Sequence, residues 1–365
     1  MKRKLLTRKI LIWISVLTGA AMLHLLFFVS EKISDLLNST VSGYIRFLLS
    51  KATGIFPFSV GEIIVFLSVP LAILLSVIAI RKSDSLKSKL IFVLTVIAKA
   101  VIVIYSLFVL SFAPGYGASG LDEKLGFERY TPNTYDLYDT LVYVIEQTNY
   151  LSDKIEYSDS GASNMPFDLN ELSDEISLAY HRVYDTQLQT DTFSTNIKPL
   201  IVSPIMTYTH ISGMYSFFTG EANLNTNYPD YINVFSTAHE FAHQRGISRE
   251  DEANFMAYLV CISSKNDYIR YSGYLNMFSY LSEELYLTDI ELYKTAVARL
   301  SDNAKKELVA YSEFFEKYQT NAASLISDKV NDAYLKSQGT HGSISYSMVV
   351  DLAVAYHKTT DLKKD

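Results

Sequence analysis

The segment from Ser236 to Cys261 contains the residues with the clearest capacity for chemistry. His239, Glu240 and His243 form an HExxH pattern, and on a helix two histidines four residues apart lie one turn apart on the same face. Two imidazoles placed in this way can bind one Zn²⁺, and catalytic zinc sites use three protein ligands and leave one position for water. The pattern therefore predicts a zinc site in which Glu240 lies beside the bound water as a general base.

A carboxylate shortly after the HExxH pattern can supply the third ligand. Gly246 is suited to end the first helix, because glycine adopts the left-handed conformation needed there at little cost. Ser248 can cap a second helix, with Asp251 as its capping-box partner. Glu250 then lies in the first turn and faces back toward the histidines, whereas Glu252 points about 200° away on the helical wheel. We therefore expect Glu250 to be the third ligand and rank Glu252 second.

The same stretch resembles a known protein family. The letters HEFAHQRG and EDEANF, with GEANLN upstream, resemble a bacterial family of membrane-anchored proteins of uncharacterised function, whose members carry an HExxH helix after transmembrane segments. The resemblance covers most of the chain and is most specific from Gly220 to Leu259. More distantly, Glu250, Ala253 and Asn254 are similar to the gluzincin pattern of zinc metallopeptidases, in which a ligand glutamate is followed on the same helix by a small residue and an aspartate.

The gluzincin resemblance implies a zincin-like metallopeptidase domain. In such a domain His239, His243 and Glu250 bind zinc and Glu240 is catalytic. The chain departs from the pattern in two ways. Its spacer between HExxH and the glutamate is much shorter than in typical gluzincins, and Asn254 stands where an aspartate usually orients a ligand histidine. The side chain behind that histidine is therefore neutral instead of charged.

The composition indicates a membrane protein. The 365-residue chain is 49% hydrophobic and has a net charge of −7, and its mean hydropathy is positive, which is too apolar for an ordinary cytosolic enzyme. Apolar runs long enough to span a bilayer occupy residues 10–29, 63–80 and 90–113. We expect a membrane domain with three transmembrane helices over residues 1–116 and an exterior domain over residues 117–365.

Basic residues near the spans predict the orientation. The N-terminal tail and the loop Arg81–Lys89 are rich in lysine and arginine, whereas residues 31–62 are not, so the tail and the loop are expected in the cytoplasm. Three spans then place the C-terminal domain outside the membrane, facing the cell exterior or a periplasm. Lys99 within the third span is either a functional charge or a side chain that snorkels to the interface. The chain has no basic stripe of the kind that nucleic acid requires.

The exterior domain is predicted to be mainly α-helical with a small β segment. Helical spacing of apolar residues occurs over 135–147, 169–184, 268–286, 289–300 and 303–330. Short strand-like segments occur at 200–202, 206–209 and 221–225. In zinc peptidases generally, an edge strand beside the active-site helix binds extended substrate by strand addition. Glu221, Ala222 and Asn223 are the predicted substrate contacts, and an ordinary packing hairpin is the alternative.

Two residues outside the metal segment, and the cysteine at its end, are further candidates. His341 and Tyr346 lie where a loop meets a helix near the C-terminus, and either can donate a hydrogen bond to a developing oxyanion. The alternatives are a turn histidine and a core tyrosine. Cys261 is the only cysteine, so the chain has neither an intramolecular disulfide nor a thiolate cluster. Thiol-protease chemistry would need this cysteine to be exposed beside a histidine.

These features together predict a membrane-anchored, zinc-dependent endopeptidase that acts on peptide or protein substrates. Bound zinc lowers the pKa of its water from about 15.7 to about 7, and Glu240 takes the proton and returns it to the leaving amine. A non-catalytic zinc-binding sensor or scaffold that contacts an envelope protein is the alternative function. Hydrolysis of a non-peptide envelope amide is a third.

Overall fold

The computed structural model describes residues 2–82, 85–187, 193 and 195–362. Within them the chain is mainly helical and forms two compact units. The N-terminal unit comprises residues 1–118 and 216–221, and the C-terminal unit comprises residues 119–215 and 222–365. The sequence predicts a single boundary at residue 116, whereas the structure assigns a short second segment to the N-terminal unit.

The N-terminal unit is mainly helical, and its short second segment, residues 216–221, contains the last residue of one strand, a turn and the first residue of the next strand. Its helices are α1 (Lys2–Val29), α2 (Glu31–Leu37), a π-helix (Asn38–Ser42), α3 (Gly43–Gly54), α4 (Val60–Lys82), α5 (Leu86–Ser111) and α6 (Pro114–Gly117). Three segments are long and apolar enough to cross a membrane, Lys9–Val29, Val60–Ile78 and Leu86–Ser111. This finding confirms the number and the approximate positions of the predicted spans. Residues 83–84 of the predicted basic loop lie outside the described residues.

Buried polar side chains fix the ends of helices in the N-terminal unit. The guanidinium of Arg46, which is 2% exposed, donates to the Asn38 side chain at 2.9 Å and to the Ser111 carbonyl at 2.7 Å. The carboxylate of Glu221 accepts hydrogen bonds from the backbone N–H groups of Val60 and Gly61 at 2.9 and 2.8 Å. These two N–H groups begin α4 and have no partner within the helix, so Glu221 caps it.

The C-terminal unit is a helical domain with one small sheet. Its helices are α7 (Leu121–Leu125), α8 (Thr134–Ser152), α9 (Leu169–Gln187), α10 (Ser203–Met206), α11 (Asp230–Gln244), α12 (Glu250–Ile262), α13 (Asp267–Thr288), α14 (Ile290–Val297), α15 (Asp302–Glu316), α16 (Ala322–Ser337) and α17 (Val349–Leu362). The strands are β1 (Lys198–Pro199), β2 (Gly213–Ser216) and β3 (Glu221–Leu224), and short 3₁₀ helices cover Thr207–Thr209 and Gly342–Tyr346.

Side-chain caps explain where several of these helices begin. Residues whose side chains accept hydrogen bonds from the first-turn N–H groups are Asn133 for α8, Asn266 for α13, Asp289 for α14, Ser301 for α15 and Asn321 for α16. The predicted helical segment 303–330 is interrupted between α15 and α16. Asn321 forms a capping box with Ser324 there and begins a new helix.

The sheet differs from the predicted one. Its strand order is β1-β3-β2, and β1 pairs in parallel with β3, with Lys198 opposite Asn223 and Pro199 opposite Leu224. The prediction that residues 221–225 form an edge strand is therefore wrong, because β3 is the central strand and all four of its residues are buried. The segment 206–209, which the sequence predicts as a strand, is instead helical.

Helices α11 and α12 run through the core of the C-terminal unit. They pack against each other, and α12 packs against α13, which in turn lies along α8. Every residue of α12 from Ala253 to Cys261 is buried. The two helices that carry the HExxH pattern and Glu250 are thus held rigidly by the core, which is the arrangement that fixes functional side chains most accurately.

Candidate metal centre

Helix α11 places His239 and His243 on one side, one turn apart. Their ring centroids are 4.6 Å apart, as expected for positions four residues apart on a helix. The helix ends where predicted, because Gly246 has a φ of 92° and the N–H of Ile247 donates to the Ala242 carbonyl at 3.1 Å. This left-handed turn reverses the chain into α12.

Glu250, in the first turn of α12, lies next to the two histidines. Its Oε2 atom lies 3.2 Å from Nε2 of His239 and 3.5 Å from Nε2 of His243, and ligand atoms of the three residues all lie within 4.8 Å of one another. Zinc bonds of about 2.0 to 2.2 Å in a tetrahedron place neighbouring ligand atoms about 3.3 Å apart. The spacing of these atoms therefore fits a three-ligand zinc set.

Glu252, the second-ranked ligand, is engaged elsewhere. Its Oε1 atom pairs with Nη2 of Arg249 at 2.6 Å and accepts a hydrogen bond from the N–H of Leu121 at 2.9 Å. The structure therefore brings Glu250 to the histidines and leaves Glu252 as a structural residue. The carboxylate fits a metal site because the buried Oε2 of Glu250 is directed at the Nε2 atoms of both histidines.

The predicted cap of α12 is wrong. The N-cap is Arg249, and no side-chain cap hydrogen bond is present. Asp251, the expected capping-box partner of Ser248, instead binds the Nη1 atom of Arg129 at 2.6 Å. Because this carboxylate is committed to an arginine distant in sequence, it does not close the predicted box.

Oxygen atoms behind the imidazoles set the tautomer of both histidines. Nδ1 of His239 lies 2.8 Å from Oδ1 of Asn254, and Nδ1 of His243 lies 2.7 Å from the Ile247 carbonyl. Carbonyl oxygens only accept hydrogen bonds, so each Nδ1 carries a proton. When the imidazole is neutral, its Nε2 lone pair is therefore the one left for a metal ion. Asn254 thus lies behind His239, where the sequence places it.

The environment of Glu240 suits a group that exchanges a proton near neutral pH. The residue is 4% exposed. Burial raises the pKa of Glu240 to about 7, although the neighbouring charges of His239 and His243 and a hydrogen bond from the Tyr215 backbone N–H lower it. Its buried Oε2 makes no hydrogen bond within the described residues. An ideal general base has a pKa close to the working pH.

His243 and Glu250 form a strongly coupled pair. Burial lowers the pKa of His243, but the charge and hydrogen bond of Glu250 outweigh this effect and raise it to about 9. Burial likewise raises the pKa of Glu250, but the two histidines hold it well below its usual range. Folding raises the His243 pKa above its ordinary value of 6.5 and lowers the Glu250 pKa below its ordinary value of 4.5, so the pair stabilises the fold fully between these two pH values. The contribution is lost as the pH rises through about 9, and it is lost again as the pH falls below 4.5 toward the lowered pKa of Glu250.

Of the two C-terminal candidates, Tyr346 reaches the site. Burial raises the pKa of the Tyr346 hydroxyl well above its usual range, and the charges of Glu250 and Glu240 and a hydrogen bond with Glu250 add to this effect. Nδ2 of Asn331 donates to the Tyr346 hydroxyl at 3.3 Å. The side chain of His341 is exposed at the start of the 3₁₀ helix that ends with Tyr346.

The predicted substrate contacts on β3 are occupied by internal interactions. Ala222 is 1% exposed, Glu221 caps α4 as described above, and Nδ2 of Asn223 donates to the Met214 carbonyl at 3.0 Å. These three residues therefore support the fold. The strand that borders Glu240 is instead β2, which lies at an edge of the sheet and contacts Glu240 through Gly213 and Tyr215.

Three further residues lie around the centre and are not indicated by the motif. Gly213 and Tyr215 contact Glu240 through their backbones, and the charge of Glu250 raises the pKa of Tyr280 on α13, although burial contributes more. Backbone contacts leave almost no signal in side-chain patterns, and tyrosines at helical spacing usually belong to a core. The signal that the sequence does carry for this contact is Gly213, a glycine at the start of a short strand ahead of the HExxH helix.

Cys261 is a buried core residue. It is 0% exposed, and burial raises the pKa of its thiol well above the usual range. A thiol that stays protonated and inaccessible does not act as a nucleophile. The thiol-protease alternative is therefore excluded.

A comparison with known families places the chain in one of them. A family model described as a protein of unknown function, DUF3810, matches residues 38–354. The chain belongs to the DUF3810 family. The match runs from the π-helix into α17 and so includes every residue of the candidate metal centre. No curated protein and no solved structure matches this DUF3810 chain.

Proposed function

We propose that this DUF3810 protein is a membrane-anchored, zinc-dependent peptidase. The observation that carries the proposal is the set of ligand atoms from His239, His243 and Glu250 within 4.8 Å of one another, next to a buried glutamate whose pKa is raised to about 7. Two imidazole nitrogens and one carboxylate oxygen suit zinc, whereas Mg²⁺ and Ca²⁺ prefer oxygen ligands alone. The similarity of the HExxH helix and the following glutamate helix to gluzincins supports the same function.

The residues of the centre have separable roles in hydrolysis. A zinc ion held by His239, His243 and Glu250 would supply a water of lowered pKa and polarise a carbonyl oxygen. Glu240 removes a proton from the attacking water and donates it to the leaving amine, and its raised pKa suits both transfers. Tyr346 donates a hydrogen bond to the carbonyl oxygen as negative charge develops. The Asn331 amide donates to the Tyr346 oxygen, and the hydroxyl itself is hydrogen-bonded to Glu250. The hydroxyl must turn from that carboxylate to reach the substrate oxygen.

Strand β2 is the proposed binding strand for an extended peptide. It lies at the edge of the sheet, and the backbone N–H of Tyr215 donates to Glu240, so the outer edge of the strand faces the catalytic side of α11. Main-chain pairing along such an edge binds peptides of varied sequence, with side-chain pockets setting preference. Peptide and protein substrates are therefore the proposed substrate class.

Metal content and hydrolysis together test the function. The full chain, purified in detergent, is expected to hold about one zinc per molecule and to cleave components of a broad peptide mixture in a chelator-sensitive manner. Zinc binding without hydrolysis of any peptide would leave the zinc-binding sensor or scaffold as the function. A protein that binds no zinc would contradict both.

Zinc binding is expected to release a proton and to strengthen with pH. His243 must be neutral to bind the metal, whereas Glu250 and Glu240 raise its pKa to about 9. Between pH 7 and pH 9 the affinity should rise up to about tenfold per pH unit and then level off. Calorimetric titration at pH 8 in buffers of different ionisation enthalpy measures the proton count. A count near zero would contradict the ion-paired state of His243.

The orientation proposed for the chain is a cytoplasmic N-terminus with the C-terminal unit outside the membrane. The only cysteine, Cys261, is buried, so introduced cysteines can be labelled selectively. Ser343→Cys, at an exposed position in the C-terminal unit, is expected to react with a membrane-impermeant maleimide in intact cells. Ser85→Cys, at an exposed position between α4 and α5, should react only after permeabilisation. The opposite pattern would reverse the proposed orientation.

A further inference from the structure

Gly213, the first residue of β2, lies against the side chain of Glu240. A Cβ atom built on Gly213 would be 2.6 Å from Oε1, 2.8 Å from Cγ and 3.0 Å from Cδ of Glu240. Any other residue would therefore compete with the carboxylate for the same space. The φ of Gly213 is not positive, so the requirement for glycine at this position is steric and not conformational.

The next backbone group on the same side of β2 binds the same carboxylate. The N–H of Tyr215, two residues along the strand, donates a hydrogen bond to Glu240. The start of the strand is itself fixed, because the hydroxyl of Ser212 is hydrogen-bonded to that of Ser236 on α11 at 2.8 Å. In addition, the Ser212 carbonyl accepts from the N–H of Asn225 at 2.9 Å. The position of β2 relative to Glu240 is thus defined by several contacts.

We propose that β2 positions the general base: the Tyr215 N–H holds the Glu240 carboxylate, and Gly213 leaves the space that this placement needs. The inference rests on the proposed function and adds to it a role for the strand itself. Gly213 is a positioning residue, since it acts only through Glu240. The same strand edge that is proposed to bind the peptide would then also align the base with it.

Gly213→Ala should displace the base and leave the rest of the centre in place. The three nearest atoms to the added methyl group all belong to Glu240, and the end of a flexible side chain moves more easily than backbone. We expect kcat for peptide hydrolysis to fall about a hundredfold, the loss typical of a displacement of about 1 Å. Zinc content and KM should stay close to those of the native protein. Gly54→Ala, where nothing lies within 4 Å of the added atom, is the matched control.

A double-mutant cycle separates positioning from a general structural effect. If Gly213 acts only through Glu240, then Gly213→Ala should not lower the residual activity further when Glu240 is already glutamine. A structural disturbance of the strand would instead lower that residual activity and raise KM. The proposal is overturned if Gly213→Ala retains native kcat. It is also overturned if Gly213→Ala lowers kcat by the same factor in the native protein and in the Glu240→Gln protein.

A second pair of variants tests the hydrogen bond independently of Gly213 and of any folding defect there. Tyr215→Pro removes the N–H, which is tolerable at a strand edge that is not paired in the sheet, and Tyr215→Ala removes only the side chain. We expect kcat of the proline variant to be at least about tenfold below that of the alanine variant. Equal kcat values would refute the role of the N–H. Failure of the native protein to hydrolyse peptides would instead refute the proposed function.

Discussion

Replacement of Glu240 by glutamine is expected to lower kcat for peptide hydrolysis by about 10² to 10⁴-fold while zinc stays bound. The amide has nearly the shape of the carboxylate, so it fits beside Gly213, but it cannot accept the proton of the attacking water. Glu240 is not among the three residues whose ligand atoms converge, so metal affinity should change little. Zinc content and kcat of the purified full chain are the two measurements.

The control for this change is the same substitution on an exposed helix surface. Glu291 of α14 is exposed and pairs with Lys294, one turn along the same helix, so Glu291→Gln should leave both zinc content and kcat unchanged. A Glu240→Gln protein that keeps its metal and full activity would rule out Glu240 as the base. Loss of metal in this variant would show that Glu240 acts on the ligands instead of the water.

The parts of the site that the sequence predicts correctly are those set by local geometry. Four-residue spacing on a helix brings His239 and His243 together, and a glycine at position 246 permits the tight reversal to Glu250. Each of these features depends only on neighbouring residues and on the preference of glycine for a left-handed conformation. The transmembrane helices are equally local, since length and apolarity alone define them.

The parts that the sequence predicts wrongly are set by distant residues. The order of three short strands depends on which partners meet in space, so β3 could not be recognised as the central strand from its own letters. Asp251 fails to cap α12 because Arg129, more than a hundred positions earlier, binds it. His341 and Tyr346 are five residues apart and equally plausible as hydrogen-bond donors. The packing of the 3₁₀ helix leaves His341 exposed and places the half-buried Tyr346 beside Glu250.

Glu250 and Glu252 are expected to fail in different ways when each is changed to alanine. Without Glu250 the centre retains only two imidazoles, and the affinity for zinc should fall by more than about a hundredfold, since loss of an orienting residue behind a ligand alone costs about 10 to 100-fold. A chelator competition titration on the full chain measures this change. The fold should persist, because the carboxylate contacts mainly the two histidines.

Glu252→Ala should instead destabilise the protein and leave zinc binding intact. It leaves Arg249 without the partner that lies 2.6 Å away and the buried N–H of Leu121 without its acceptor. Such losses cost about 1 to 3 kcal/mol, which corresponds to a Tm about 3 to 10 °C lower. If zinc were lost on changing Glu252 but retained on changing Glu250, the third ligand would be misassigned. The three-ligand geometry on which hydrolysis depends would then have to be built around a different carboxylate.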